Sequence, residues 1–209
     1  MRKAEKEKKK LGFFHLVILF MLLSFMGWCM ETIYFLIDWN DFTDRGFLSL
    51  PFCTIYGCSL VAIYLIIGTP TGGRLKPLFL RAKKLPVFPK ILSYAGLYLI
   101  YFLFAALIPS IAEFFTGLFF DKVFGVVLWD YSYHTYDLYG YVCLEMTIVW
   151  GVVITLAMST VWPLLEKLIL LIPRRAAKAV AITLIALLSA DFIFNFSYLC
   201  AKGKHLILY

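Results

Sequence analysis

Residues 11–30 read LGFFHLVILFMLLSFMGWCM, twenty positions with no charge beyond whatever His15 carries. The ten residues before them, MRKAEKEKKK, hold six Lys and Arg. A membrane-spanning helix needs about 20 apolar residues, rising about 1.5 Å each across a hydrocarbon core about 30 Å thick. A basic start followed by an apolar run also describes a secretory leader. The run is longer than the usual apolar region of about 7–15 residues, and no A-x-A site follows it. Trp28, just before Cys29, is too bulky for a lipoprotein cleavage site. The stretch therefore predicts an uncleaved first helix over 12–37.

The rest of the chain repeats the pattern. Of 209 residues, 62% are hydrophobic and 16% charged, against about 45–50% and about 25% in a soluble domain. No charged residue occurs from Gly46 to Gly73. Pro51 suits a helix start and Gly68-Thr-Pro70 an end, which predicts a second helix over 51–68. A connection at 69–90 carries Arg74, Lys76, Arg81, Lys83, Lys84 and Lys90 and no acid. Further helices are predicted at 91–120, with a kink at Pro109, at 139–165 and at 178–200. Between Asp121 and Asp130 the apolar piece Val123–Trp129 is too short to cross, so 121–138 reads as a re-entrant turn or a helix lying in the interface. Its run of Trp129, Tyr131, Tyr133, Tyr136, Tyr139 and Tyr141 suits the headgroup level. The fold class is all-α, a polytopic transmembrane bundle of about five membrane-spanning helices plus that segment. The expected organisation is a basic arm at 1–10, one transmembrane domain at 11–201 and a short tail at 202–209.

The net charge of +7 sits in blocks between apolar runs, not in a stripe interleaved with base-stacking rings, which argues against nucleic acid. The blocks set topology. With the N-terminus inside, the inner segments hold 16 Lys/Arg, and the outer ones only Arg45, Lys122, Lys202 and Lys204. The positive-inside rule thus places the N-terminus in the cytoplasm. The lipid bilayer is the first partner, and the inner blocks attract its anionic headgroups.

Four acids fall within or at the ends of predicted helices: Glu31, Glu113, Glu145 and Asp191. Asp191 lies thirteen residues past Lys178, about 20 Å along its helix. The other three lie about 30 Å from the inner face. The bland reading places Glu31, Glu113 and Glu145 in the wet outer interface. Asp191 is harder to dismiss, because an Asp at the bilayer centre costs about 2.5–3.5 kcal/mol on insertion scales. Asn195, four residues on, shares its helix face, and a packing hydrogen bond is the bland account of the pair. The functional reading gathers the acids around an outward-facing polar pocket, with Trp28, Tyr56 and Trp129 among its ring donors and Asp130 beside it. Basic partners on that side are scarce, so the first expected contact is Arg45 with Glu31 or Glu113. His134, between Asp130 and Asp137, reads as a bland loop histidine.

The five cysteines show no CxxC and no zinc spacing, so no metal is expected. They read as small core residues, with an outer Cys53–Cys143 disulfide as the lesser alternative. No nucleotide-binding loop, dinucleotide fingerprint, HExxH or GxSxG occurs, so no cofactor is expected and the chain does not hydrolyse ATP by itself.

Several elements follow in a characteristic order. They are Gly27-Trp28-Cys-Met-Glu31; Arg45-Gly46-Phe47-Leu48 leading through Pro51 to Cys53-Thr-Ile55-Tyr56-Gly57; Glu113-Phe-Phe-Thr116-Gly117; Phe124-Gly125; Trp129-Asp130-Tyr131-Ser132; and Gly140, Cys143-Leu144 and Trp150-Gly151. Over residues 24–165 the chain resembles the bacterial membrane family of ABC-transporter permeases, type IV, or CmpB-like. It departs from that pattern at Asp44, Leu50, Thr54, Asp121, Asp137 and Tyr141. The resemblance implies a transport-associated protein of the bacterial cell membrane, and Glu31, Arg45, Glu113 and Asp130 fall on its motif positions.

Three functions compete. The first is a permease-like or substrate-binding subunit, energised by a separate ATP-binding subunit docked on loop 69–90. The second is a membrane-embedded enzyme acting on outer-leaflet lipid or envelope material, with Glu31, Glu113 and Asp130 as acid/base groups and Arg45 holding an anion. The third is a non-catalytic envelope scaffold. The absence of an activated nucleophile or a metal set ranks the enzyme below the first.

Overall fold

A computed structural model of the chain describes residues 11–40, 42 and 46–206. It is a helical bundle. Four helices are long and apolar enough to cross a membrane: α1 (Phe13–Trp39), α4 (Val87–Phe119), α5 (Leu144–Ile169) and α6 (Arg174–Lys202). Two shorter helices, α2 (Thr54–Ile66) and α3 (Lys76–Ala82), lie between α1 and α4. The last turn of α4 widens to π-helical geometry over Phe120–Phe124 and stops at Gly125, which takes a left-handed backbone. A two-residue pair of strands, β1 (Asp137–Leu138) and β2 (Val142–Cys143), closes the loop before α5.

The helices sort their faces by contact and not by polarity. Along α4, Leu97, Tyr101, Ala105, Pro109, Glu113 and Gly117 recur every four residues, and all are buried. Leu99, Leu103, Leu107, Ile111 and Phe115 recur at the same interval on the other side, and all are exposed. A stripe of bare aliphatic and aromatic side chains is stable only against lipid. The core draws on α1 (Leu19, Leu23), α2 (Ile63), α4 (Tyr101, Ala105) and α5 (Ile154, Met158, Trp162). The chain is a multi-pass membrane protein.

The second crossing differs from its sequence expectation. The predicted helix 51–68 is a 13-residue helix, Thr54–Ile66, about 20 Å long and too short for the hydrocarbon core. The chain before it, residues 46–53, is irregular and dips into the bundle. The backbone N–H of Cys53 reaches the Ser24 carbonyl at 3.0 Å, about 22 Å along α1 from its end at Trp39. At its other end α2 turns at Gly68, whose carbonyl accepts the Tyr101 hydroxyl at 2.8 Å. The crossing is thus an extended strap followed by a half-length helix.

Close approach of α1 and α2 requires two glycines. A Cβ on Gly27 would strike the Tyr56 ring, and one on Gly57 would strike Ser24 and the Phe20 carbonyl. The basic connection also differs from a plain loop. Within it α3 packs on the start of α4, with Phe79 against Tyr94 and Tyr98 at ring separations of 5.3 and 5.4 Å. The helix predicted from 91 begins earlier, at Val87, because this contact extends it. Residues 125–136 form no helix and fold over the end of the bundle. No disulfide joins any of the five cysteines, and Cys53 and Cys143 are both buried.

Candidate functional site

At the end of the bundle away from the basic connection lies a cavity of about 800 Å³. Five parts of the chain line it: Glu31 on α1, the strap and first turn of α2 from Gly46 to Tyr56, Glu113 and Thr116 on α4 with Phe120 just past it, the loop 125–131, and Phe192 on α6. Lys204 and His205, past the end of α6, stand at its rim. Irregular backbone at membrane depth persists only where protein or a cavity covers it, and the strap meets that condition.

Two acids mark the cavity wall. Glu31 accepts the Tyr56 hydroxyl at 2.7 Å. The Tyr56 ring in turn stands edge-on to Trp150 at 5.3 Å. Glu113 is only 9% exposed, because it lies on the inward stripe of α4. The Trp150 indole lies beside its carboxyl without closing a well-formed hydrogen bond, and Oε2 has no hydrogen-bond partner. The Tyr131 hydroxyl is pushed above its usual range, first by burial and then by Glu113 and Glu31. It remains protonated and available as a donor.

Aromatic rings make up part of the wall. Phe47, at the tip of the strap, touches Phe120 at 4.9 Å, Phe192 at 5.8 Å and His205 at 5.6 Å. Phe52 adds a ring from the deeper part of the strap, edge-on to Phe25.

The other predicted site residues have structural partners. Asp191 accepts the backbone N–H of Leu50 at 3.1 Å and the Asn195 amide at 3.1 Å. Asn195 also donates to Ser49 at 3.0 Å. The pair holds the strap from behind and does not line the cavity. Glu145, at the start of α5, meets His134 at 2.5 Å and is largely exposed, so the loop histidine has a carboxyl partner. Asp130 is bound by the Ser132 N–H at 2.8 Å, which holds its carboxyl below the usual range. It lines a second hollow of about 610 Å³, with Asp121, Lys122 and Tyr141. Trp129 belongs to both hollows, and its indole donates to the Tyr141 carbonyl at 2.8 Å. Trp28 stacks on Phe25 at 6.2 Å with its indole N–H unpaired, outside the cavity lining. Arg45 lies outside the described residues, so the expected contact with Glu31 or Glu113 does too. No group of His, Cys, Asp and Glu among the described residues is arranged to hold a metal ion.

A half-length helix entered through an irregular strap, beside a cavity lined by two acids, is an arrangement found in membrane transporters. The family model described as "Putative ABC-transporter type IV" matches residues 18–196. The chain belongs to that family. Neither a curated protein nor a solved structure matches it. In this ABC-transporter type IV member the family match runs from α1 to α6 and covers the strap, both acids and the loop over the cavity.

Sequence reasoning missed Tyr131, Thr116 and Phe47 as residues lining the cavity, and Trp150 as the ring beside Tyr56 and Glu113. The signal for Glu113 was present in the inward stripe of α4. Nothing in the side-chain pattern marks the Leu50 backbone N–H and the Ser49 hydroxyl as the partners of Asp191 and Asn195.

Proposed function

We propose that the protein is the membrane-embedded substrate-binding or permease-like subunit of a transport system, with the cavity as its substrate site. The observation that carries this reading is the interrupted second crossing. Residues 46–53 give up helical hydrogen bonding inside the bundle, a costly choice at membrane depth, and the space they open contains Glu31, Glu113 and a wall of rings. The cavity faces outward on this reading, because Arg74, Lys76, Arg81, Lys83, Lys84 and Lys90 lie at the opposite end. A separate ATP-binding subunit docks on the α3–α4 corner and supplies the energy.

The enzyme reading needs Glu31, Glu113 and Asp130 around one reacting bond. Asp130 lines the second hollow instead and is engaged by Ser132, which favours transport. Affinity purification from native membranes tests the proposal. An ATP-binding subunit should co-purify, and replacing Lys83 and Lys84 by Glu should release it. Recovery of the protein alone, with uptake unchanged in cells lacking it, would count against the reading.

A further inference from the structure

We propose that the cavity recognises an amphiphilic organic cation, with an ammonium group set against Glu113 and a hydrocarbon body along the aromatic wall. The inference rests on reading the cavity as the substrate site, and it names the class of substrate.

The deciding group is the Glu113 carboxyl. It is nine-tenths buried and lines the cavity, and Oε2 has no hydrogen-bond partner. A buried carboxyl oxygen without a donor is unfavourable in a medium of low dielectric. A ligand that brings both positive charge and N–H groups offsets that cost most fully, a neutral donor offsets it only in part, and an anion does not. The only Lys or Arg lining the cavity among the described residues is Lys204, at the rim past α6. The depth of the pocket is therefore acidic. Phe47, Phe52, Phe120 and Phe192 supply ring faces and edges along the remaining wall, a surface that binds both alkyl chains and cations. A volume of about 800 Å³ falls within the range of small-molecule sites.

The test uses the full chain in nanodiscs and calorimetric titration with three probes of matched shape: phenylethylammonium, phenylethanol and phenylacetate. The ammonium probe should bind, and the alcohol and the carboxylate should bind far more weakly. Glu113→Gln should weaken the ammonium probe by about tenfold to a hundredfold, the loss of one charge-assisted contact. Glu113→Asp keeps the charge, so measurable binding should remain, and its melting profile shows that the bundle has folded. Equal binding of the alcohol, or ammonium binding untouched in a folded Glu113→Gln protein, overturns the inference. If the carboxylate binds alone and is lost on filling the cavity with Thr116→Trp, the cavity is a substrate site and only the cation assignment falls. If no probe binds and native membranes yield no transport partner, both readings fall.

Discussion

The Asp191 carboxylate on α6 accepts the backbone N–H of Leu50 at 3.1 Å, although the two residues lie 141 positions apart. The acid sits eleven residues before Lys202 at the end of α6, about 16 Å below that end. The strap is therefore held inside the bundle from two sides, by α6 at Ser49 and Leu50 and by α1 at Cys53. An intramembrane acid that looks functional by depth is an anchor for the backbone that shapes the cavity.

Removing that anchor should loosen the strap. Asp191→Ala leaves the Leu50 N–H without its acceptor and removes one of the acceptors of the Asn195 amide, a cost of about 1–3 kcal/mol. Asp191→Asn keeps an acceptor oxygen and should be much milder. Thermal unfolding in nanodiscs checks the order, and limited proteolysis near residue 50 should report the loosening in the alanine variant first.

Both glycines of the α1–α2 crossing should matter for stability, and Gly27 for binding as well. At Gly57 a methyl meets the Phe20 carbonyl, a backbone atom that cannot swing away. Gly57→Ala should destabilise the bundle by about 1–3 kcal/mol. At Gly27 it meets Cβ and Cγ of Tyr56 as well as the ring edge, and Cβ does not move when the side chain rotates. Gly27→Ala should therefore also destabilise the bundle and, in addition, pull the Tyr56 hydroxyl from Glu31, weakening ligand binding. A melting temperature and a binding isotherm on each variant distinguish the two outcomes.

Orientation is checked by labelling. Lys83→Cys at the α3–α4 corner should react with an impermeant thiol reagent only from the cytoplasmic side. Ser132→Cys, in the loop over the cavity, should react only from outside. The reverse pattern would invert the topology and place the cavity in the cytoplasm.

The loop over the cavity should have an acid limit. The Ser132 N–H holds the Asp130 carboxyl below its usual range. A depressed carboxyl contributes order that is fully present above its unfolded value, about 3.9, and is lost as pH falls through the lower folded value. The Ser132 amide should thus stay protected from exchange between about pH 5 and pH 8 and lose protection below about pH 4. Asp130→Ala should lack this protection at every pH.

Much of the fold was legible in the chain because insertion reads local runs. Residues 11–30 announce α1, and the blocks at 74–90 and 174–178 mark one end of the bundle whatever the packing. The sequence marks 69–90 only as a basic connection, because α3 depends on Phe79 meeting Tyr94 and Tyr98, a contact between separate elements. The candidate site was legible only in part. Glu31, Tyr56, Glu113 and Trp129 reach the cavity lining, while Trp28, Asp130, Glu145, Asp191 and Asn195 serve other contacts.

The sequence by itself determined that this chain lives in lipid, where its long helices run and which end carries the basic charge, because these follow from runs of apolar residues and counts of Lys and Arg. Only the tertiary structure decided that the second crossing is a strap and a half-helix, that Glu113 faces the cavity while Leu103 and Leu107 face lipid, and that Asp191 anchors Leu50. The physical reason is twofold. Lipid and protein core are equally apolar, so side-chain type does not tell one helix face from the other. A backbone N–H is the same at every residue but proline, so the partner of a buried carboxylate is chosen by packing.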